Sequence, residues 1–381
     1  MPQPTRSSRR RFLYRACALG AAGPLAWPLA ARAQTGPVLI GQSLPLSGPM
    51  AGVFAGVLAG EKLAIDEYNQ RQAGRNQPVE LVLLDDAYDP RRTAENAGKF
   101  VEQKVAAMFG TVGTAQTAAA LKVLTPARMP LIASYTGTPA LRTDDFPLYF
   151  TTQANYLDES VRIIRHLTTV AHGQVAVLYQ DDAFGKSMLP LVQKAAAEAG
   201  ATVVATQAME PSGKNAAEAV QAVAQARPQS VVLLVAGPGV VPAIRALRRG
   251  VSAAIYTYSL AISAAAVEAL GADAVGLAVV RSTPYPWSIT QSLAKAFAAA
   301  AARRKLAVDY DHYLGYINGR VLTEAARAAG ANPTPAAMAA AMEKLGKLDL
   351  GGYTLEYGPG RHHGSAFTEI TILGPKGRYI R

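Results

Sequence analysis

Cysteine is nearly absent from this chain of 381 residues, because Cys17 is the single one. A disulfide bond within the chain is therefore excluded, and so is a metal site built from several thiolates. If the segment that contains Cys17 is removed, as proposed below, no thiol remains for catalysis. Zinc fingers, iron–sulfur clusters and thiol enzymes are not expected.

Histidine is scarce as well, with five residues and no helical spacing that would place two imidazoles on one metal ion. The chain also lacks a Gly-x-Ser-x-Gly nucleophile elbow. Residues 212–215 and 237–242 resemble nucleotide-binding loops, but each has the wrong residue at a required position. His362 and His363 are interpreted as a solvated turn. We expect no catalytic residues, no cofactor and no metal site.

Acidic residues are missing from the first 33 positions, which contain six arginines. The formal net charge of the whole chain is +11, yet beyond this segment 32 basic side chains stand against 27 acidic ones. The basicity is therefore largely a property of the N terminus. Nucleic-acid binding is not expected.

Residues 1–33 are predicted to be an export signal of the twin-arginine type. A basic stretch ends at Arg15, an apolar run follows over 16–31, and small residues predict cleavage after Ala33. Residues 8–13 resemble the bacterial twin-arginine motif. The apolar run is shorter than the ~20 residues that span a bilayer, and it contains two prolines. We expect a protein of the periplasm that is not embedded in the membrane.

Long linkers of low complexity are also missing, and beyond residue 34 short apolar runs alternate with amphipathic stretches. This alternation is typical of parallel sheets covered by helices. One series begins at Val38, with a helix predicted over 55–71, and a second series follows residue 152. Residues 288–341 are predicted to be helical, and antiparallel strands are expected only from Tyr353 onward. The two series predict two α/β lobes.

Three loops of the first series are rich in glycine, serine and threonine: residues 44–49, 110–114 and 134–138. In open α/β sheets ligands bind beyond the carboxyl ends of the strands, where small residues and hydroxyl groups can approach a carboxylate. Each loop alone is equally well explained as an ordinary turn or helix cap. Three of them in one lobe favour a shared cleft.

Several short stretches, in their order and spacing, resemble a known family: residues 40–41 with 46–49, 85–90, 110–117 and 179–185. Over almost the whole chain beyond the signal, the sequence resembles the solute receptors of ABC importers typified by the periplasmic leucine/isoleucine/valine-binding proteins. The resemblance implies two Rossmann-like lobes with parallel sheets flanked by helices, joined by three crossover strands and closing over a ligand by hinge motion.

Mapping the crossovers by this resemblance places them near Thr151, within 281–283 and within 351–365. The predicted first lobe then comprises residues 34–152 and 283–350. The predicted second lobe comprises residues 153–282 and 351–381.

The resemblance also implies ligand contacts, here assigned to Ser47, Phe54, Thr114, Tyr135, Thr136, Gly137, Ser259 and Tyr285. Thr114 matches the hydroxyl that holds the ligand carboxylate. Gly137 stands where amino-acid receptors have a second threonine, and Thr136 can substitute from one position away. Ser259 stands where those receptors have a carboxylate that pairs with the ligand ammonium. An α-amino acid ligand would therefore lack its buried counter-charge.

Tyr256, Tyr258, Tyr285 and Trp287 either line an aromatic cleft, which favours an aromatic or bulky acid, or pack in the core and hinge. We expect a monomeric, non-enzymatic receptor that binds a small carboxylate and delivers it to the permease and ATPase subunits of an ABC importer. A periplasmic hydrolase on the same two-lobe scaffold is the alternative.

Overall fold

The computed structural model describes residues 36–73 and 77–381, so the predicted export signal lies outside the described residues. The chain from Gly36 onward forms one compact unit. Its first part alternates strands and helices in this order: β1 (Val38–Leu44), α1 (Ala55–Arg71), β2 (Val79–Asp85), α2 (Pro90–Glu102), β3 (Ala107–Phe109), α3 (Thr114–Leu124), β4 (Leu131–Ile132) and β5 (Tyr149–Phe150). These strands form a parallel sheet in the order β2-β1-β3-β4-β5.

The second part continues with α4 (Tyr156–Thr169), β6 (Gln174–Gln180), α5 (Ala183–Ala199), β7 (Thr202–Met209), α6 (Ala216–Gln225), β8 (Ser230–Leu234), α7 (Val240–Gly250), β9 (Ala254–Thr257), α8 (Ala264–Leu270) and β10 (Ala278–Arg281). All five of these strands are parallel in a second sheet. Strand β8 is fully buried, as expected for a parallel strand covered by helices on both faces.

The last part contains α9 (Ser292–Arg304), α10 (Tyr310–Ala329), α11 (Pro335–Lys344), β11 (Lys347–Asp349), β12 (Thr354–Glu356), β13 (Glu369–Leu373) and β14 (Tyr379–Ile380). Strands β11 and β12 form an antiparallel hairpin, while β13 and β14 extend the second sheet as antiparallel strands. The expected α/β fold with parallel, helix-covered sheets is confirmed. The prediction of no strand before Tyr353 was wrong, because β11 is three residues long and its pairing with β12 defines it.

Helices α1, α9, α10 and α11 cover one face of the first sheet, and α2 and α3 cover the other. Helices α1 and α10 pack backbone against backbone. A Cβ atom at Gly60 would lie 2.0 Å from the carbonyl oxygen of His312, and one at Gly315 would lie 1.9 Å from that of Val57. The missing side chains therefore set the distance between the two helices.

The chain passes between the two sheets after β5, after β10 and after β12, and Tyr353 links the first two of these passages. Its buried hydroxyl lies 2.6 Å from the carbonyl oxygen of Thr152 and 3.1 Å from that of Ser282. Tyr353, Leu355 and Tyr357 belong to the hydrophobic core of the first sheet. We therefore propose that residues 351–357 belong to the first lobe and that the third crossover follows them. The remaining lobe bounds stay predictions.

The interpretation of His362 and His363 as a solvated turn was wrong. The ring of His362 packs 4.4 Å from that of Phe150, and its Nε2 atom lies 3.0 Å from a carboxylate oxygen of Glu343. Burial lowers the pKa of His363 to about 4. Both residues form part of the third passage, where adjacent chain segments cover them.

Candidate functional site

A cavity lies where the carboxyl ends of the strands of both sheets meet, and we call it the cleft cavity. Loops after four strands of the first sheet line one side, with Met50, Val53, Phe54, Tyr88, Val112, Gly113, Thr114 and Tyr135. Segments of the second lobe line the other side, with Tyr156, Phe184, Ala236, Gly237 and Leu260. This is the edge at which open α/β sheets bind ligands.

The cleft cavity is small in this conformation, with a volume of ≈ 30 Å³. Since about 10–15 Å³ of such volume holds one water molecule, it has room for about two. Met50 of the first wall meets Gly237 of the second so closely that a Cβ atom on the glycine would lie 2.4 Å from the methionine sulfur. A ligand larger than water therefore requires the two walls to move apart.

Thr114 is the first residue of α3 and places its hydroxyl 2.9 Å from that of Thr136. Gly113 precedes the helix with a φ of +96°, a conformation suited to glycine, and no side chain caps the first turn. The amide groups at the start of α3 are therefore left to other acceptors, and the helix dipole favours an anion there. The pair of hydroxyls and this helix end offer neutral donors to a carboxylate.

Tyr135 is held in place by a buried polar network beneath the cleft cavity. Its hydroxyl donates to Glu61 of α1 and accepts a 2.9 Å bond from the side-chain amide of Asn318. Gln42 donates to the other carboxylate oxygen of Glu61 at 2.8 Å. The ring of Phe54 packs against that of Tyr135 at 5.7 Å. Because hydroxyl and ring are both fixed, Tyr135 presents a rigid wall to the cavity.

Gly137 allows the two walls to touch. Its carbonyl accepts a 2.7 Å hydrogen bond from the backbone N–H of Tyr156, and a Cβ atom at this position would lie 2.7 Å from the tyrosine ring. Tyr156 is thereby packed onto the loop that contains Thr136. This close contact with Tyr156 explains why position 137 has a glycine where amino-acid receptors of the family have a threonine.

A search of curated proteins found no match to this sequence. A family model described as periplasmic binding protein matches residues 37–372. The chain belongs to this family. The cleft cavity between two lobes is consistent with that membership.

Solved structures of similar proteins share the fold of this periplasmic binding protein. A possible leucine/isoleucine/valine-binding protein from Rhodopirellula baltica SH 1 has 23% identity, covers 92% of this chain and 98% of its own, and has a TM-score of 0.83. A substrate-binding periplasmic protein from Ralstonia solanacearum has 28% identity, covers 90% and 99%, and has a TM-score of 0.82.

A solute-binding protein of an ABC transporter from R. palustris, solved in complex with benzoate, has 18% identity, covers 91% and 95%, and has a TM-score of 0.79. The similarity to solved structures shows that this periplasmic binding protein has the type I fold of the leucine/isoleucine/valine-binding proteins.

Of the residues assigned to the ligand, the structure brings Phe54, Thr114 and Tyr135 to the lining of the cleft cavity. Thr136 and Gly137 lie directly behind that lining, against Thr114 and Tyr156. Their roles as ligand contacts stay predictions.

Ser47 and Tyr285 do not line the cleft cavity. The hydroxyl of Ser47 donates to Asp85 at 2.6 Å in an exposed loop. The hydroxyl of Tyr285 donates to the carbonyl of Tyr379 at 3.1 Å, and its ring packs 5.1 Å from that of Trp287. In this conformation both side chains are engaged with other parts of the fold.

Ser259 does have a carboxylate beside it, which the sequence alone did not indicate. Glu159 of α4 is buried and accepts hydrogen bonds from the backbone N–H and the hydroxyl of Ser259, each at 2.9 Å. Burial raises the pKa of Glu159 to about 7. Both oxygens of Glu159 are engaged by Ser259, and Glu159 is not among the residues that line the cleft cavity.

The cleft cavity has an aromatic wall, but Tyr256, Tyr258, Tyr285 and Trp287 are not part of it. Tyr256 and Tyr258 are buried in the core of the second sheet, and Trp287 packs near the hinge. The cleft cavity is instead lined by the rings of Phe54, Tyr88, Tyr135, Tyr156 and Phe184. Sequence analysis missed Tyr88, although its position directly after β2 could have indicated it.

Among the described residues, those that line the cleft cavity include no Asp, Glu, Lys or Arg. Nor do any three potential metal-ligating side chains cluster to hold an ion within residues 36–73 and 77–381. In the same part of the chain, every helix is too short or too polar to cross a bilayer.

Replacing Glu61 by Gln should change how the stability of this protein depends on pH. Burial raises the pKa of Glu61 from 4.5 to about 7 in the folded state. The folded protein therefore holds a proton that the unfolded chain releases, so stability falls as pH rises between about 4.5 and 7. The Glu61→Gln variant should lose less stability over this range, by on the order of 3 kcal/mol.

Thermal unfolding midpoints between pH 4.5 and 8 would measure this effect, with the exposed Glu80→Gln as the control. The same pH dependence in wild type and Glu61→Gln would contradict a protonated Glu61.

Proposed function

We propose that this protein is an extracytoplasmic receptor of an ABC importer that binds a small organic acid with an aromatic or bulky apolar body. Family membership supports the general role. The observation that supports the ligand class is the lining of the cleft cavity, which contains Thr114 and five aromatic residues but no charged side chain.

The carboxylate of the ligand would accept hydrogen bonds from Thr114, from the adjacent Thr136 and from the amide groups at the start of α3. Neutral donors can hold a carboxylate because hydrogen bonds to a charged acceptor are stronger than those between neutral groups. The apolar body would lie among Phe54, Tyr88 and Phe184, where offset or edge-on ring contacts add to apolar burial. The benzoate bound by the R. palustris protein belongs to this class of ligand.

A branched-chain amino acid is the second candidate, supported by the description of the R. baltica protein. Its ammonium group would need a buried acceptor of negative charge. Glu159, the carboxylate at Ser259, already accepts two hydrogen bonds from that serine. An amino-acid ligand would therefore have to displace Ser259 or leave its ammonium unpaired, which costs about 3–5 kcal/mol.

Delivery of the ligand to the importer would depend on closure of the two lobes over it. A ligand that contacts both walls stabilises the closed state, because only a difference in affinity between two conformations shifts their populations. The closed receptor would then dock on the permease at the inner membrane, whose ATPase subunits drive import. We propose that the receptor is a monomer exported through the twin-arginine route to the periplasm.

A thermal-shift screen on residues 34–381 tests this proposal. The panel should contain benzoate and substituted benzoates, leucine, isoleucine and valine, dicarboxylates and neutral amides. A ligand at about 100 times its dissociation constant adds ~2.7 kcal/mol of stability, which a melting curve resolves. We expect aromatic monocarboxylates to shift the midpoint most. A shift by amino acids alone would contradict the ligand class.

Recovery of the bound acid separates a receptor from the alternative hydrolase. The acid should be recovered chemically unchanged after prolonged incubation with the protein. Steady conversion to a product would contradict the receptor and support an enzyme.

A further inference from the structure

A second cavity, much larger than the cleft cavity, opens beside the hinge, and we call it the Arg281 groove. Its volume is ≈ 680 Å³, and it shares no lining residue with the cleft cavity. A third cavity of ≈ 30 Å³ shares Phe54 and Leu260 with the cleft cavity and Arg281 with the groove. Apolar groups form most of its walls, among them Ile262, Val275, Trp287, Val308 and Tyr379. A volume of this size is in the range of small-molecule sites.

Arg281, the last residue of β10, lines this groove although its side chain is almost completely buried, with 2% of the residue exposed. Its guanidinium lies 4.0 Å from the ring centre of Tyr310 and 4.7 Å from that of Tyr379. A long hydrogen bond of 3.5 Å joins its Nη1 to the carbonyl oxygen of Ser259, and the hydroxyl of Tyr379 is a further hydrogen-bonding neighbour.

The Nε and Nη2 atoms of Arg281 are buried without any hydrogen-bond partner. These two atoms form one edge of the guanidinium, the edge that donates two parallel hydrogen bonds to a carboxylate. Buried donors of this kind normally have partners, because an unpaired one costs about 1–3 kcal/mol or more. The edge therefore indicates an anionic group that the protein itself does not supply.

The carboxylates of Glu159, Asp311 and Glu369 interact electrostatically with Arg281, but each of them also bonds to another group. Glu159 is bonded to Ser259, and Asp311 accepts from the backbone N–H of Ala264 at 2.7 Å. Glu369 pairs with Arg381 at 3.2 Å through Oε2, while its buried Oε1 has no hydrogen-bond partner. Asp309, which also lines the groove, caps α10 and bonds to His312. No carboxylate of the described residues lies within ion-pair distance of Arg281.

We propose that the Arg281 groove is a second ligand site for an amphipathic monocarboxylate. The carboxylate binds the Nε and Nη2 edge of Arg281, and the apolar body lies along Trp287, Val275 and Ile262. Lys376 also lines the groove, whose other charged lining residues are Glu268, Asp309 and Asp311. This inference goes beyond the proposed function and does not depend on the identity of the cleft ligand.

Occupancy of the groove should also respond to lobe movement. Val308 and Tyr310 precede or begin α10, which packs on the first sheet, whereas Ile262 and Val275 belong to the core and surroundings of the second sheet. A molecule that contacts residues of both lobes has an affinity that changes with the opening angle between the lobes. Such a ligand is an effector of closure, since its affinity differs between conformations.

Tryptophan fluorescence tests the proposal, because Trp287 is the only tryptophan of residues 34–381. Octanoate is the probe, and octanamide is its uncharged control. We expect octanoate to change the Trp287 emission in a saturable way and octanamide to bind at least about 30-fold more weakly, the loss typical of removing one partner from a buried charge pair. The Arg281→Gln variant should weaken octanoate binding to a similar extent.

Three further variants separate the possible outcomes. Ala272→Phe fills the groove from its exposed rim and should abolish the response, which decides the question if Arg281→Gln fails to fold. A response lost in Thr114→Val would place octanoate in the cleft cavity and overturn the proposal, and Arg91→Gln, an exposed arginine at the start of α2, is the matched control. An absent response, an equal response to octanamide, or full binding by Arg281→Gln or Ala272→Phe would overturn the proposal.

Discussion

The Thr114→Val variant should bind the preferred carboxylate about 10- to 100-fold more weakly than the wild-type protein, the loss expected when a hydrogen bond to a charged group is removed. Valine keeps the shape of threonine but has no hydroxyl. The ligand loses one donor, and the buried hydroxyl of Thr136 loses its 2.9 Å partner. Isothermal titration with the acid that gives the largest thermal shift measures the change.

Thr125→Val is the matched control for this variant. Thr125 caps the other end of α3, half-exposed and away from the cleft cavity. The control should bind like the wild type, and both variants should keep the far-ultraviolet circular dichroism of the native fold. Equal affinity of Thr114→Val and wild type would refute the placement of the carboxylate at this hydroxyl.

The Gly315→Ala variant should be destabilised by about 3 kcal/mol, at the upper end of the cost of overpacking a close-packed interior. The new methyl group would lie 1.9 Å from the carbonyl oxygen of Val57, so α1 and α10 must separate. The better helix propensity of alanine, worth up to ~1 kcal/mol, recovers only part of this loss. Urea-induced unfolding followed by circular dichroism measures the difference.

Gly98→Ala is the matched control, because Gly98 is also inside a helix but has no atom within 4 Å of the added methyl group. This substitution should stabilise the protein by about 0.5–1 kcal/mol. Opposite signs for the two variants are expected. A Gly315→Ala protein as stable as Gly98→Ala would show that the contact between the two helices is not tight.

The Gly315→Ala substitution should also affect ligand binding in the cleft cavity. Phe54 directly precedes α1, and the carboxylate of Glu61 on the same helix fixes Tyr135. A displaced α1 should therefore weaken ligand binding as well as stability. Predicting this link from the sequence was not possible, because Gly60 and Gly315 are 255 positions apart and nothing local shows that they meet.

Part of the candidate site followed directly from local sequence. The loop 110–114 was found because a glycine-rich turn between an apolar run and a helical stretch marks the carboxyl end of a strand, and the family resemblance then singled out Thr114 within it. Tyr156, Phe184 and Gly237 were missed because they belong to the other lobe. Which second-lobe residues face Thr114 depends on how the two sheets are oriented, and short-range patterns contain no information on that orientation.

Contacts between distant parts of the chain also explain why the surroundings of Ser259 and Arg281 could not be predicted from the sequence. Position 259 has no charge of its own, but the carboxylate of Glu159 reaches the same point from a helix 100 residues earlier. Likewise, a lone arginine at a strand end is unremarkable in sequence. Its burial, its missing partners and its contact with Tyr310 exist only after α10 has packed beside β10.

Apolar periodicity and turn residues by themselves determined the alternation of strands and helices and the parallel sheets, and they predicted the edge of the sheets as the place of the ligand, because those properties depend on near neighbours in the chain. Tertiary structure alone decided which side chains from the two lobes meet, which buried carboxylates have raised pKa values and where an arginine edge lacks a partner. These properties depend on desolvation and on contacts between residues distant in sequence, which arise only when the separate parts of the chain pack together.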